Sequence, residues 1–297
     1  MAMPAAKGLF HKAICQSGGF LVPPREIPYK ESLEDGLELQ KALGVNCIEE
    51  MRQIPAKRLL EAAKGLVAGD EQPKKLRFSP ALDNIIIKNQ NDTLLEKAKI
   101  PLIVGSNKDE ATFFTAMTPP VTVNYYKSYI RRSFGEKAAR VLTDFPADSN
   151  EEAKKQFIYL LTYNLFTAPV FEIAKALSEL GGDVYVYRFN RLAPKNRESG
   201  IGVSHGEEIP YLFGHVTAQG YGDADKKLSE AMMDYWIQFC RTGDPNSKEL
   251  PEWPKFSSTV NGYLELTDEI TARDYIEDKS FTTLFPFFNV SRQSGLL

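Results

Sequence analysis

Two hydrophobic periods alternate along this chain. The first is short and continuous. In AICQSGG, residues 13–19, a brief apolar run closes on two glycines, as a buried strand entering a turn does. The second is helical. Leu33, Leu37 and Leu43 in ESLEDGLELQKALG share roughly one face, and Gly44 supplies a stop. Asn46 stands three residues before Glu49, a weak capping arrangement, and Pro55 suits the first position of a helix over AKRLLEAAKG. Residues 66–99 read mostly as loop, with NIIIK, residues 84–88, as a short strand or turn. IPLIVG, residues 100–105, is the clearest strand. Its apolar run has proline near the entrance and glycine at the exit, which fits a strand buried on both faces.

Farther on, Ser149 and Glu152 form a capping box that opens a long helical stretch, continuing past Pro169 to Gly181 and Gly182. DVYVYRF, residues 183–189, is the next strand. In DKKLSEAMMDYWIQFCRTG, the residues Leu228, Met232, Tyr235, Trp236 and Phe239 follow helical spacing, and Gly243, Asp244 and Pro245 end the run. A Met and aromatic stripe of this kind is core. No internal repeat, low-complexity tract or linker divides the chain. The order of elements predicts an α/β fold with a mostly parallel sheet flanked by helices. In such sheets, chemistry gathers beyond the carboxyl ends of the strands.

Composition narrows the classes. The 297 residues are 43% hydrophobic and 25% charged, ample for a buried core. A net charge of -3 and the lack of a basic run argue against nucleic acid as a partner. No window approaches the roughly 20 continuous apolar residues of a membrane span. The opening residues lack the plan of a secretory signal. The three cysteines, Cys15, Cys47 and Cys240, form no CxxC pair, so neither a zinc site nor a redox motif is supported. Free thiols lean towards a reducing cytoplasm.

The strand ends hold the candidate chemistry. Directly after IPLIVG, the segment SNKDEATFF places Asp109 and Glu110 in a turn. After DVYVYRF, a polar loop leads to GVSHGEEIPYLFG. Of the three histidines, His11, His205 and His215, only His205 sits between small residues, Ser204 and Gly206. An acid that fixes a histidine's tautomer lets the other ring nitrogen take a proton from a serine hydroxyl. Acid before histidine is the chain order of α/β-hydrolases. By pattern alone, Glu110 also reads as a solvated turn carboxylate and His205 as an ordinary loop residue.

Five segments together resemble the type-B carboxylesterases and cholinesterases. GSNKDEATFF resembles their acid-bearing GxNxDEG pattern, and GVSHGEEIPYLFG their HGxExxYxF histidine segment. AAKGLFHKAICQSGG, FSPALDN and MMDYWIQFCRTGDPN…LPEWPKF match in the same order, so the likeness runs from residue 4 to about residue 256. Ala111 replaces the usual glycine after the acid, and Asn84 stands where DG is commoner. The resemblance implies that residues 1–297 form a single partial domain, the C-terminal portion of an α/β-hydrolase fold. It makes Glu110 the triad acid, His205 the general base and Glu208 structural. Phe113, Phe114 and Phe213 line an acyl or alcohol pocket or are ordinary core.

The family's serine sits in a GxSxG elbow between strand and helix. By the resemblance this chain begins inside the helix that follows, so the nucleophile, the preceding strands and the oxyanion loop are absent. Residues 202–206 spell GVSHG, but no strand runs into them, and Ser204 lacks a separate histidine partner. Ser17 falls on the strand after the elbow helix and is a poor nucleophile. The expectation is a carboxylic ester hydrolase acting through an acyl-enzyme, with a small-molecule ester as substrate and no metal or organic cofactor. The missing N-terminal half is a candidate partner, because its absence leaves an apolar sheet edge. The alternative is an inactive fragment, or a binding or adhesion relative.

Overall fold

A computed structural model describes residues 1, 3–18, 27–68, 81–87, 97–115, 118, 120–197, 199–217, 219–257, 259–275 and 281–284. The chain divides into two compact units. One comprises Met1–Lys7 and Pro23–Thr93, the other Gly8–Val22 and Leu94–Leu297.

In the smaller unit, a helix spans Tyr29–Leu43 and stops at Gly44, whose φ of 70° lets its N–H reach the Gln40 and Lys41 carbonyls. The predicted leucine face is only partly used. Leu43 is buried, whereas Leu33 and Leu37 are exposed. Helical spacing decides which residues share a face, not whether another element covers it. The next helix, Ile48–Arg52, has Cys47 at its N-cap, and Glu50, not Glu49, accepts the Asn46 N–H at 2.8 Å. Pro55 stands just before the helix Ala56–Ala68, its carbonyl accepting from Arg58 and Leu59. Strands β2 (Ile27–Pro28) and β3 (Ala81–Leu82) pair in parallel. Residues 84–87 are a turn rather than a strand. One Asp83 carboxylate oxygen accepts the N–H groups of Ile85, Ile86 and Ile87 at 2.8–3.0 Å, and Asn84 adopts a φ of 57°. Asparagine tolerates that left-handed region better than most residues, which explains how it replaces a glycine.

The larger unit holds a five-stranded sheet in the order β1-β4-β5-β6-β7. Strands β1 (Ala13–Gln16), β4 (Leu102–Asn107), β5 (Val184–Phe189) and β6 (Gly262–Leu266) are parallel, and β7 (Thr271–Asp274) runs antiparallel to β6. The last two strands were not expected from the pattern of the chain. Every residue of β4 is buried, as its unbroken apolar run implies. Alternate side chains serve two cores. Leu102, Val104, Val184 and Val186 face the helices of residues 123–179, whereas Ile103, Tyr185, Tyr187 and Phe189 face the helix Asp223–Thr242. The stripe of Leu228, Met232, Tyr235, Trp236 and Phe239 is buried in that second core.

The capping box is present: Ser149 Oγ accepts from the Glu152 N–H, and Glu152 accepts from the Ser149 N–H. Its helix, Asn150–Thr162, passes through a widened π turn at Tyr163–Thr167 into Ala168–Glu179. Pro169 explains the turn. It lacks an N–H and its ring crowds the carbonyl four residues back, so the backbone opens a looser turn before continuing. Among the described residues this stretch is the one helix long and apolar enough to cross a membrane, but 56% of its most apolar window is buried inside the fold.

Gly105 pairs with Tyr187 across β4 and β5. A Cβ at residue 105 would lie 2.3 Å from the Tyr187 ring. Gly105→Ala should therefore lower the unfolding free energy by about 1–3 kcal/mol, the usual range for overpacking, seen as a lower urea midpoint. An unchanged midpoint would show that this strand pair has room to spare.

Candidate active site

The carboxyl ends of β1, β4 and β5 bring the candidate residues together. Beyond Asn107 the chain turns sharply through residues 108–110 into the short helix Ala111–Thr115, whose first N–H is taken by Thr162 Oγ1 at 3.0 Å. That turn points Glu110 inward, where it is fully buried. Its Oε2 lies 2.6 Å from His205 Nδ1. Its Oε1 accepts the Ser17 hydroxyl at 2.5 Å and the Asn107 N–H at 2.7 Å. With Glu110 ionised, the ring N–H of His205 is the donor, which leaves Nε2 as the basic nitrogen. Burial pushes the Glu110 carboxyl above its ordinary range, and the bonds from Asn107, Ser17 and His205 pull it back without cancelling that rise.

A second buried carboxylate supports the first. Glu208 accepts from Gln16 Nε2 at 3.0 Å and from Asn107 Nδ2 at 2.5 Å. The same Asn107 amide donates to the Ser204 carbonyl at 2.8 Å. Gln16, Asn107 and Glu208 thus tie two strand ends to the histidine segment. Ser17 sits at a φ of 55°, in the left-handed region that non-glycine residues seldom occupy. This backbone state places its hydroxyl on Glu110 rather than on His205.

Downstream of the histidine, Tyr211 anchors the segment in the second core. Its hydroxyl donates to Asp225 Oδ1 at 2.6 Å, and Arg191 Nε donates to the same oxygen at 2.6 Å. Burial would push Asp225 up, but the bonds from Arg191, the Gly222 N–H and Tyr211 hold it below the usual carboxylate range. The histidine segment is therefore held against two strand ends and a core helix.

Aromatic rings surround His205. The rings of Phe114, Phe166 and Phe113 lie at centroid distances of 5.3, 5.6 and 6.4 Å. Phe113 and Phe114 follow from their place after Glu110. Phe166 was not foreseen, because it is delivered by the π turn, which no local pattern announces. Phe213 is 68% exposed and lines an open cavity of about 320 Å³ with Ser17, His205 and Ile209. Residues 202–206 form an irregular loop, and Ser204 is buried, so the literal GxSxG there is not an elbow. Gln16 and Asn107 were also missed. Their signal was available: each is a polar residue closing an apolar strand at the end where sites form.

Comparison with known proteins gives a consistent result. The model of the carboxylesterase family matches residues 1–283. The para-nitrobenzyl esterase of Bacillus subtilis (strain 168) is 29% identical over 301 residues, which cover 96% of this chain and 59% of that protein. Carboxylesterase 5A of Canis lupus familiaris is 28% identical over 300 residues, covering 93% of this chain and 52% of its own length. A solved PNB esterase structure superposes with a TM-score of 0.75 at 28% identity, over 96% of this chain and 60% of that one. The chain thus spans between half and three-fifths of the length of these relatives.

The raised Glu110 carboxyl has a consequence for stability. Between its ordinary value and its raised folded value, the folded protein holds a proton that the unfolded chain has lost, so stability falls as pH rises through that window. Glu110→Gln lacks this titration. Urea midpoints from about pH 4 to about pH 8 should show the native protein losing stability relative to the variant as pH rises, then running level. Parallel curves would contradict the burial of an ionised Glu110.

Proposed function

Because this chain belongs to the carboxylesterase family, we propose that it supplies the acid, Glu110, and the general base, His205, of a Ser–Glu–His triad that hydrolyses carboxylic esters. The observation that carries the reading is the 2.6 Å contact between Glu110 Oε2 and His205 Nδ1 at the carboxyl ends of neighbouring strands. Glu110 sets the tautomer, and Nε2 then accepts the proton of a serine hydroxyl as that oxygen attacks the ester carbonyl. The alcohol leaves with that proton. A water, activated by the same nitrogen, then releases the acid from the acyl-enzyme. The half-exposed His205 ring and the open cavity beside it suit both the approach of an ester and the entry of water. Phe113, Phe114 and Phe166 supply an apolar wall for the substrate.

The serine is read as coming from polypeptide outside this sequence. Neither serine beside the histidine suits that role: Ser17 bonds Glu110, and Ser204 is buried with its hydroxyl unpartnered. The same observation favours a second reading, in which this chain on its own is catalytically inactive. The family match runs through both compact units, which supports treating them as parts of one hydrolase domain.

The test needs a polypeptide that joins this chain to a family nucleophile segment, or a complex of the two. It should hydrolyse a nitrophenyl ester and react with a fluorophosphonate probe. His205→Ala should lower kcat by roughly 10³-fold or more, as losing a triad base does. Turnover that survives this substitution would remove His205 from the role of base.

A further inference from the structure

The loop carrying His205 has little regular structure of its own. Gly200, Gly202 and Gly206 take φ values of 67°, 69° and 84°, and no strand or helix covers residues 199–206. A backbone this permissive needs outside anchors if the ring is to stay on Glu110. One anchor is the residue next to Glu110. The Asp109 N–H donates to the Val203 carbonyl at 3.0 Å, and the Val203 N–H donates to Asp109 Oδ2 at 3.0 Å. These two bonds close a ring like one rung of a ladder. Gly202 lies against the same carboxylate, where a Cβ would come within 2.6 Å of Oδ2. The contact thus demands a glycine at that position twice over, for its φ and for the space.

Resting on the assignment of His205 as base, we propose that Asp109 is a positioning residue for it. Glu110 holds the ring, and Asp109 holds the backbone two residues upstream. Both carboxylates leave the same turn at the end of β4, so the base and its acid are referred to one rigid point. The Asp109 side chain bonds the Val203 backbone rather than the ring. Its effect on the reaction runs through Val203, which is buried. A displacement of about 1 Å at a catalytic group is enough to cost around 100-fold in rate, which is the scale on which such an anchor matters.

Three measurements test this. In the unaltered chain, the Val203 amide should exchange with deuterium at least about 10-fold more slowly than in Asp109→Ala, as expected for a bonded amide in a buried position. Asp109→Asn keeps an acceptor oxygen and should restore most of that protection. The far-downfield proton shared by Glu110 and His205 should be visible in the parent, lost or shifted in Asp109→Ala and regained in Asp109→Asn. In an ester-hydrolysing assembly, Asp109→Ala should lower kcat by about 10- to 100-fold with KM within about twofold, and Asp109→Asn should recover most of the loss. Rapid exchange at Val203 in the unaltered chain overturns the anchor whether or not the esterase reading stands. Slow exchange with an unchanged kcat in Asp109→Ala overturns its part in positioning. If the assembly shows no turnover, the downfield proton decides: its persistence in Asp109→Ala overturns the proposal, and its loss with return in Asp109→Asn supports it.

Discussion

A carboxylate with no exposed surface must be met by donors, or burial will drive it to take up a proton. Glu110 makes that demand, and the arrangement around it answers. Ser17 at the end of β1, the Asn107 N–H at the end of β4 and the His205 ring after β5 each give it one bond. Three segments far apart in sequence are thereby required to end at one place. The sheet makes this possible: β1, β4 and β5 are adjacent and parallel, so their carboxyl ends lie on one rim. Fold and chemistry are joined through that single acceptor group.

The histidine is held less by regular structure than by what surrounds it. Gln16 and Asn107 brace its segment from the strand ends through Glu208 and the Ser204 carbonyl, and Tyr211 ties it through Asp225 to the helix Asp223–Thr242. Phe114 and Phe166 pack on the ring. This combination keeps one face of the imidazole in a preorganised, low-polarity setting while the cavity beside it stays open. Electrostatic preorganisation of that kind suits the role proposed for His205, because little has to be rearranged when charge develops.

Much of this was legible in the chain. The unbroken run at residues 100–105, the Val and Tyr strand at 183–189 and the stops at Gly44 and Gly243 all state local preferences, and the structure keeps them. The meeting of Glu110 and His205 was legible through resemblance to a family, and the structure brings the two within 2.6 Å. Other features depend on partners that no local window contains. The bond from Gln16 to Glu208 spans 192 residues and that from Asn107 to Ser204 spans 97, so neither clamp has a periodic signature. Leu33 and Leu37 show the reverse limit, a helical face that is written but left uncovered. Strand β6 was overlooked because GYLEL is short and carries a charge, Glu265, which is met by Arg273 of β7. The π turn that delivers Phe166 answers a proline further along, a backbone compromise rather than a preference of the residues within it.

Everything rests on the Nδ1 proton of one imidazole pointing at one buried carboxylate. Nitrogen-15 spectra of His205, with two-bond couplings to the ring protons at neutral pH, read that state directly. A single tautomer with Nδ1 protonated and Nε2 bare is expected, with loss of that preference in Glu110→Gln. A ring protonated at Nε2, or one averaging freely between tautomers in the native chain, would contradict it.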